Sequence, residues 1–147
     1  MILVVEINYT ITKPNKYEVV AMTEANEKYN IVMPETTDRV LCMKIDRVIS
    51  EDGYKDNFLP RIEAMAEKYN EIRILIYYKD FKGWEFDAAK ADMFAAAMLG
   101  KKLKKAALIN PPESELFQRS MKQALFSGEM KLFTEDKLDD ALEWVKA

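Results

Sequence analysis

Two adjoining stretches carry residue types that could do chemistry. Asp80-Phe-Lys-Gly-Trp84 brings a carboxylate, a lysine and an indole together, and Phe86 follows closely. At a strand end, such a carboxylate could act as a general base, and such aromatics could line an apolar pocket. Lys79 and Lys82 flank Asp80, which favours an ion pair or simple solvation, and the chain has no histidine to serve as its partner. From Asp87 to Leu99, Ala88, Ala89, Ala91, Ala95, Ala96 and Ala97 are interleaved with Met93, Phe94 and Met98. Small residues leave room and methionines adapt to an apolar guest. The plainer alternative is that the alanines allow close helix–sheet packing while the aromatics plug the end of a core. The candidate ligand-binding residues are Phe81, Trp84, Phe86, Met93, Phe94 and Met98. No residue is assigned to catalysis or to a metal, and no cofactor is expected.

The remaining reactive types fit structural roles. Cys42 is the only cysteine, so neither an intramolecular disulfide nor a cysteine-based zinc site can form within the chain. It falls in a strand apolar on both faces, the setting of a buried, inert thiol. Glu51-Asp52, Glu135-Asp136 and Asp139-Asp140 lack calcium-loop spacing and suit helix starts. Lys101, Lys102, Lys104 and Lys105 could hold a phosphate or lipid headgroup, but their place around a helix end suits its dipole and solvated side chains. Four glycines, at 53, 83, 100 and 128, do not build a phosphate-cradling loop.

These side chains must be positioned by one domain. A chain of 147 residues buries roughly 69% of its unfolded surface, enough for one real core. The composition is 49% hydrophobic and 32% charged, with a net charge of −3, that of a soluble globular protein without a broad basic face for nucleic acid. No apolar run is long enough for a membrane span, and Met1–Glu6 lacks the basic flank of a signal peptide. A cytoplasmic protein that binds no nucleic acid and is not integral to a membrane is expected.

The apolar pattern gives the order of elements. Residues 1–12 read as a strand, 17–29 are ambiguous between a short strand and a short helix, and 30–33 form a second strand ended by Pro34. Residues 40–45 form a strand covered on both faces. Ser50 caps a helix whose stripe is Tyr54, Phe58, Ile62, Met65 and Tyr69, with Pro60 kinking it or delaying its regular part. Strand 72–78 follows, then a helix capped by Asp87 and stopped by Gly100, strand 105–109 and a helix over 113–126 ended by Gly128. Strand 129–133 and a helix capped by Thr134 close the chain. The alternation after residue 39 predicts an α/β fold with a mixed, mainly parallel sheet and crossover helices, the 30–33 strand pairing antiparallel with its neighbour.

The order and spacing of several segments carry a family resemblance. They are the strand ending near Pro34, Tyr54-Lys-Asp-Asn-Phe-Leu-Pro-Arg-Ile-Glu-Ala64, Lys68-Tyr-Asn-Glu-Ile-Arg-Ile-Leu75, Asp80-Phe-Lys-Gly-Trp84 and Ala141-Leu-Glu-Trp144. Over about residues 28–147 the chain resembles the STAS-type, SpoIIAA-like domains, particularly a stand-alone bacterial and archaeal subgroup of unknown function. The resemblance implies a SpoIIAA-like fold, with residues 1–27 as an added, strand-like extension. Anti-sigma-antagonist members carry a phosphorylatable serine in an Asp-Ser-Ser/Thr-Gly turn. The matching turn here is Asp80-Phe81-Lys82-Gly83, and phenylalanine has no hydroxyl to accept a phosphoryl group. The stand-alone subgroup looks like a set of carriers with an apolar cavity between sheet and helices.

Residues and resemblance together point to a non-enzymatic binder of a small apolar or amphipathic molecule, or of a lipid. The alternative is a phosphorylation-independent STAS-type module with a protein partner. A carrier would enclose its aromatics, whereas a partner module would present them as a patch. A homodimer through residues 2–12 is a further hypothesis, which an unchanged oligomeric state after truncation near Lys28 would refute.

Overall fold

The computed structural model describes residues 28–147; the expected first strand, all but the last two residues of the ambiguous 17–29 stretch and the extension-mediated dimer lie outside the described residues. Five strands form one sheet in the order β1-β2-β3-β4-β5. They are β1 (Ile31–Val32), β2 (Leu41–Ile45), β3 (Ile72–Tyr78), β4 (Leu103–Ile109) and β5 (Glu129–Phe133). β1 runs antiparallel to β2, with Val32 opposite Met43. The other pairings are parallel, so the mixed, mainly parallel sheet expected from the alternation is observed. Among the described residues, four α-helices of nine residues or more accompany the sheet: α1 (Leu59–Tyr69), α2 (Phe86–Leu99), α3 (Glu113–Lys122) and α4 (Leu138–Lys146).

Side-chain alternation divides the core between the two faces of the sheet. Leu41, Met43, Ile45, Ile72, Ile74, Ile76, Tyr78, Ala106 and Leu108 meet Ile62, Met65 and Ala66 of α1. Cys42, Leu75, Ala107 and Ile109 turn the other way and pack on Ala141 and Val145 of α4. β2, β3 and β4 are apolar at consecutive positions because both of their faces are covered.

Helix entry follows from local chemistry. Ser50 Oγ accepts from Gly53 N–H at 3.0 Å, the expected cap. Residues Tyr54–Phe58 then take a π-helical course before α1 begins at Leu59. Pro60 lies in the first turn of α1, directly after the π-helical turn whose last bond runs from Leu59 N–H to Tyr54 O; having no N–H it cannot carry that ladder on, and the regular α-helix is delayed to this point.

Of three further helix signals, two act differently and one acts as expected. Asp87 lies inside the first turn of α2, after Glu85 at the cap position, and supplies negative charge near the helix N-terminus. Gly100 does stop α2 where expected, as its C-cap, but with φ −58° it continues into a 3₁₀ turn, and its lack of a side chain is needed because a Cβ there would lie 2.3 Å from Leu125 O. Thr134 caps the 3₁₀ turn Glu135–Lys137 ahead of α4 without a side-chain bond to the helix backbone.

Candidate functional site

The site grows from two polar stripes that turn inward. α2 lays Ala88, Asp92 and Ala96, four residues apart, against the protein interior. The two alanines bring its backbone close to its neighbours, and Asp92 between them is 8% exposed. α3 turns Glu115 and Lys122 inward, 1% and 4% exposed, while Phe117 and Met121 face out. This reverses the usual amphipathic arrangement, and each buried charge must therefore find partners.

The partners come from the sheet, the π-helical segment and the 79–85 loop. Tyr54 O–H donates to Asp92 Oδ1 at 2.7 Å, and Lys122 Nζ donates to Asp92 Oδ2. Tyr78 O–H donates to Glu115 Oε1 at 2.8 Å, and Trp84 Nε1–H donates to Glu115 Oε2 at 2.8 Å. Lys122 Nζ also lies 5.6 Å from the Trp84 ring centroid, a cation–π distance. Every carboxylate oxygen in the cluster thus has a donor.

Electrostatics moves these groups away from neutral pH. Desolvation works to raise the Asp92 carboxyl, but Arg119, Lys122 and the two hydrogen bonds outweigh it and hold the pKa below its ordinary value. Burial, with Asp92 adding to it, raises the Tyr54 hydroxyl. Burial raises Tyr78 as well, although Arg119 opposes it. Desolvation works against the Arg119 charge, yet Tyr78 and Asp92 raise its pKa. On the other face, burial pushes the Cys42 thiol up to about 11, as an inert cysteine requires.

The cluster forms one wall of a cavity of about 140 Å³. Met43, Ile45, Ile76, Phe58, Val48 and Ile49 supply apolar wall, and Tyr54, Tyr78, Trp84, Asp92 and Arg119 supply the amphipathic side. Lys28 and Arg47 also line it, carrying the cavity toward the surface. Asn30 fixes that end: its Oδ1 accepts from Asp46 and Arg47 N–H, and its Nδ2 donates to Val48 O. A second cavity of about 60 Å³ shares Tyr54, Phe58, Asp92 and Arg119 with the first and continues toward Leu103 and Phe126.

A family model described as SpoIIAA-like matches residues 40–146. The chain belongs to the SpoIIAA-like family. Among solved structures, this SpoIIAA-like chain is similar to an uncharacterised protein of the DUF3478 family with a SpoIIAA-like fold from Shewanella loihica. The two are 27% identical, with a TM-score of 0.55, over 72% of this chain and 83% of that one. No match is found among curated proteins.

The six residues singled out in the sequence are not brought together in the SpoIIAA-like domain. Trp84 alone lines the larger cavity. Phe81 is half-buried, its ring edge-on to Tyr78 at 5.5 Å. Phe94 and Met98 line an open groove between α1 and α2, where they are 66% and 81% exposed. Phe86 and Met93 are exposed as well. The reason is the slim face of α2: alanines take the inward positions, so the large residues are left outside. Asp80 is exposed, and Lys79 pairs with Glu135 at 2.6 Å instead.

Sequence reasoning missed Tyr54, Tyr78, Asp92, Glu115, Arg119 and Lys122 as a group. Two signals were available: one acid midway between alanines on an apolar helix, and Glu115, Arg119 and Lys122 at i, i+4 and i+7. Among the described residues, no group of three or more His, Cys, Asp or Glu is placed to hold a metal, and no helix is long and apolar enough to cross a membrane.

Proposed function

We propose that the protein is a non-enzymatic binder that holds a small apolar or amphipathic molecule between the sheet and the helices. The observation that carries this reading is the cavity, apolar along Met43, Ile45, Ile76 and Phe58 and amphipathic along Tyr54, Tyr78 and Trp84. Its volume of about 140 Å³ is close to the roughly 150 Å³ in which an apolar protein cavity accommodates benzene. It suits a ring-sized body and is short of the several hundred Å³ typical of larger ligands, so a whole lipid is a poor fit. Binding rather than turnover is favoured by the titration of the wall: Asp92 is lowered while Tyr54 and Tyr78 are raised, directions opposite to those of a poised acid–base pair.

The test is native against denaturing mass spectrometry of the full chain from its own cells, with a toluene titration followed by NMR. A small extra mass lost on denaturation, or toluene shifts centred on Met43, Ile45 and Ile76, supports the reading. A clean mass together with no toluene response overturns it.

A second reading has its own observation. Phe86, Phe94 and Met98 on α2, with Phe117 and Met121 on α3, leave large apolar side chains in solvent, as a protein-interaction module would. Serine substitution of Phe94 and Met98 that leaves co-purifying proteins unchanged counts against it.

A further inference from the structure

Resting on the binding reading of the same cavity, we infer that Arg119 receives the anionic head of the ligand, and that this ligand is a small monocarboxylic acid with a ring-sized apolar body. The argument is an inventory of donors and acceptors around the wall. Both oxygens of Asp92 accept, from Tyr54 and Lys122, and both oxygens of Glu115 accept, from Tyr78 and Trp84. Asn30 uses its carbonyl oxygen twice and its amide once. Asn57 donates to Asn30 O at 3.4 Å and accepts from Arg61 at 3.3 Å. The acceptors of the wall are therefore engaged.

Arg119 differs from its neighbours. It lines both cavities, and among the described residues it makes no ion pair. Its close polar neighbour is the Tyr78 hydroxyl, whose proton is already given to Glu115 and whose oxygen can take up only part of a five-donor guanidinium. The cavity thus offers unused donors in a planar fork, which matches a carboxylate through two parallel hydrogen bonds.

Charge supports the same sign. The charged residues lining the larger cavity are Lys28, Arg47, Arg119 and Asp92, and of these Arg47 is paired with Asp46 at 2.9 Å, which leaves Lys28 and Arg119 as the cationic side. Asp92 is already neutralised by Lys122 and hydrogen-bonded by Tyr54. An amine would have to displace one of those donors, whereas a carboxylate can take up the guanidinium N–H groups of Arg119 that the single Tyr78 oxygen leaves over. The size of the cavity limits the apolar body to about one ring.

The experiment titrates the full chain at pH 7 with benzoate, benzyl alcohol and toluene, following affinity by calorimetry and NMR. Benzoate is expected to bind about 10- to 100-fold more tightly than benzyl alcohol, the worth of a hydrogen bond to a charged group. Arg119→Met should remove that advantage, weakening benzoate about 10- to 100-fold more than toluene; Arg119→Lys, which keeps the charge but loses the fork, should retain part of it. Equal affinity for benzoate and benzyl alcohol overturns the inference without needing any variant. A loss in Arg119→Met that is equal for benzoate and toluene also overturns it, since the residue would then be supporting only the shape of the wall. Toluene binding without benzoate binding refutes the acid and leaves the cavity reading standing, and no binding by any probe refutes both.

Discussion

Lys122 and Asp92 form an ion pair between two helices that otherwise could pack with apolar residues, and its cost and worth can be separated. Both side chains are nearly removed from water, 5% and 11% exposed. Lys122→Met keeps length and apolar volume but leaves Asp92 charged, with only Tyr54 and the more distant Arg119 to balance it. Breaking one side of such a buried pair costs about 3–5 kcal/mol. Unfolding entropy of about 2.1 cal/mol/K per residue over 147 residues converts this to a fall in Tm of about 10–16 °C. Asp92→Leu, which strands the lysine, should fall in the same range. The double variant, with neither charge left, should recover most of the loss, because replacing a buried pair by apolar side chains is often close to neutral. The assay is urea and thermal unfolding of the four proteins, read as a double-mutant cycle. A pH series gives a second readout. Asp92 has a lowered pKa in the folded state, so its contribution is present above the unfolded value near 4 and is lost as pH falls through the folded one. The double variant should therefore lose less stability in acid. Single variants within about 1 kcal/mol of the parent, or strictly additive effects in the double, would show that water reaches the pair and would refute the reasoning.

Two further outcomes follow from packing. A Cβ on Gly128 would lie 2.1 Å from Leu103 O and 2.4 Å from Lys104 O, so Gly128→Ala must push the start of β5 from β4. It should cost about 1–3 kcal/mol or more by chemical denaturation; a cost no greater than that of Gly83→Ala, where φ is +96° but nothing lies within 4 Å, argues against close approach as the reason for this glycine. Cys42, fully buried with its thiol pushed up to about 11, should react with iodoacetamide at pH 8 only as fast as the domain opens; labelling at the rate of a free thiol contradicts that placement.

The sheet was legible because its strands are short apolar runs with clear stops. Val40–Ile45 and Ile72–Tyr78 could hardly be read otherwise, and Ser50 announced the helix after β2. The site was obscured by α2 and α3. α2 is apolar almost all round, so periodicity does not say which face turns inward, and the large side chains drew attention to the outer one. On α3, residue type misleads further: Glu115 and Lys122 are inside while Phe117 and Met121 are outside. Only the meeting of Tyr54, Tyr78 and Trp84, from separate parts of the chain, makes that reversal tolerable.

The sequential order of the sheet has a consequence for how the domain assembles. Leu41 pairs with Ile74, Ile74 with Ala106 and Ala106 with Met130, separations of 33, 32 and 24 residues. Every new strand after β2 joins the one immediately before it in the chain. Loop-closure entropy is therefore met in comparable instalments, and no strand has to slip between two that are already paired. Growth from one edge lets the sheet form in the order of synthesis, each strand with its crossover helix laying down the template for the next.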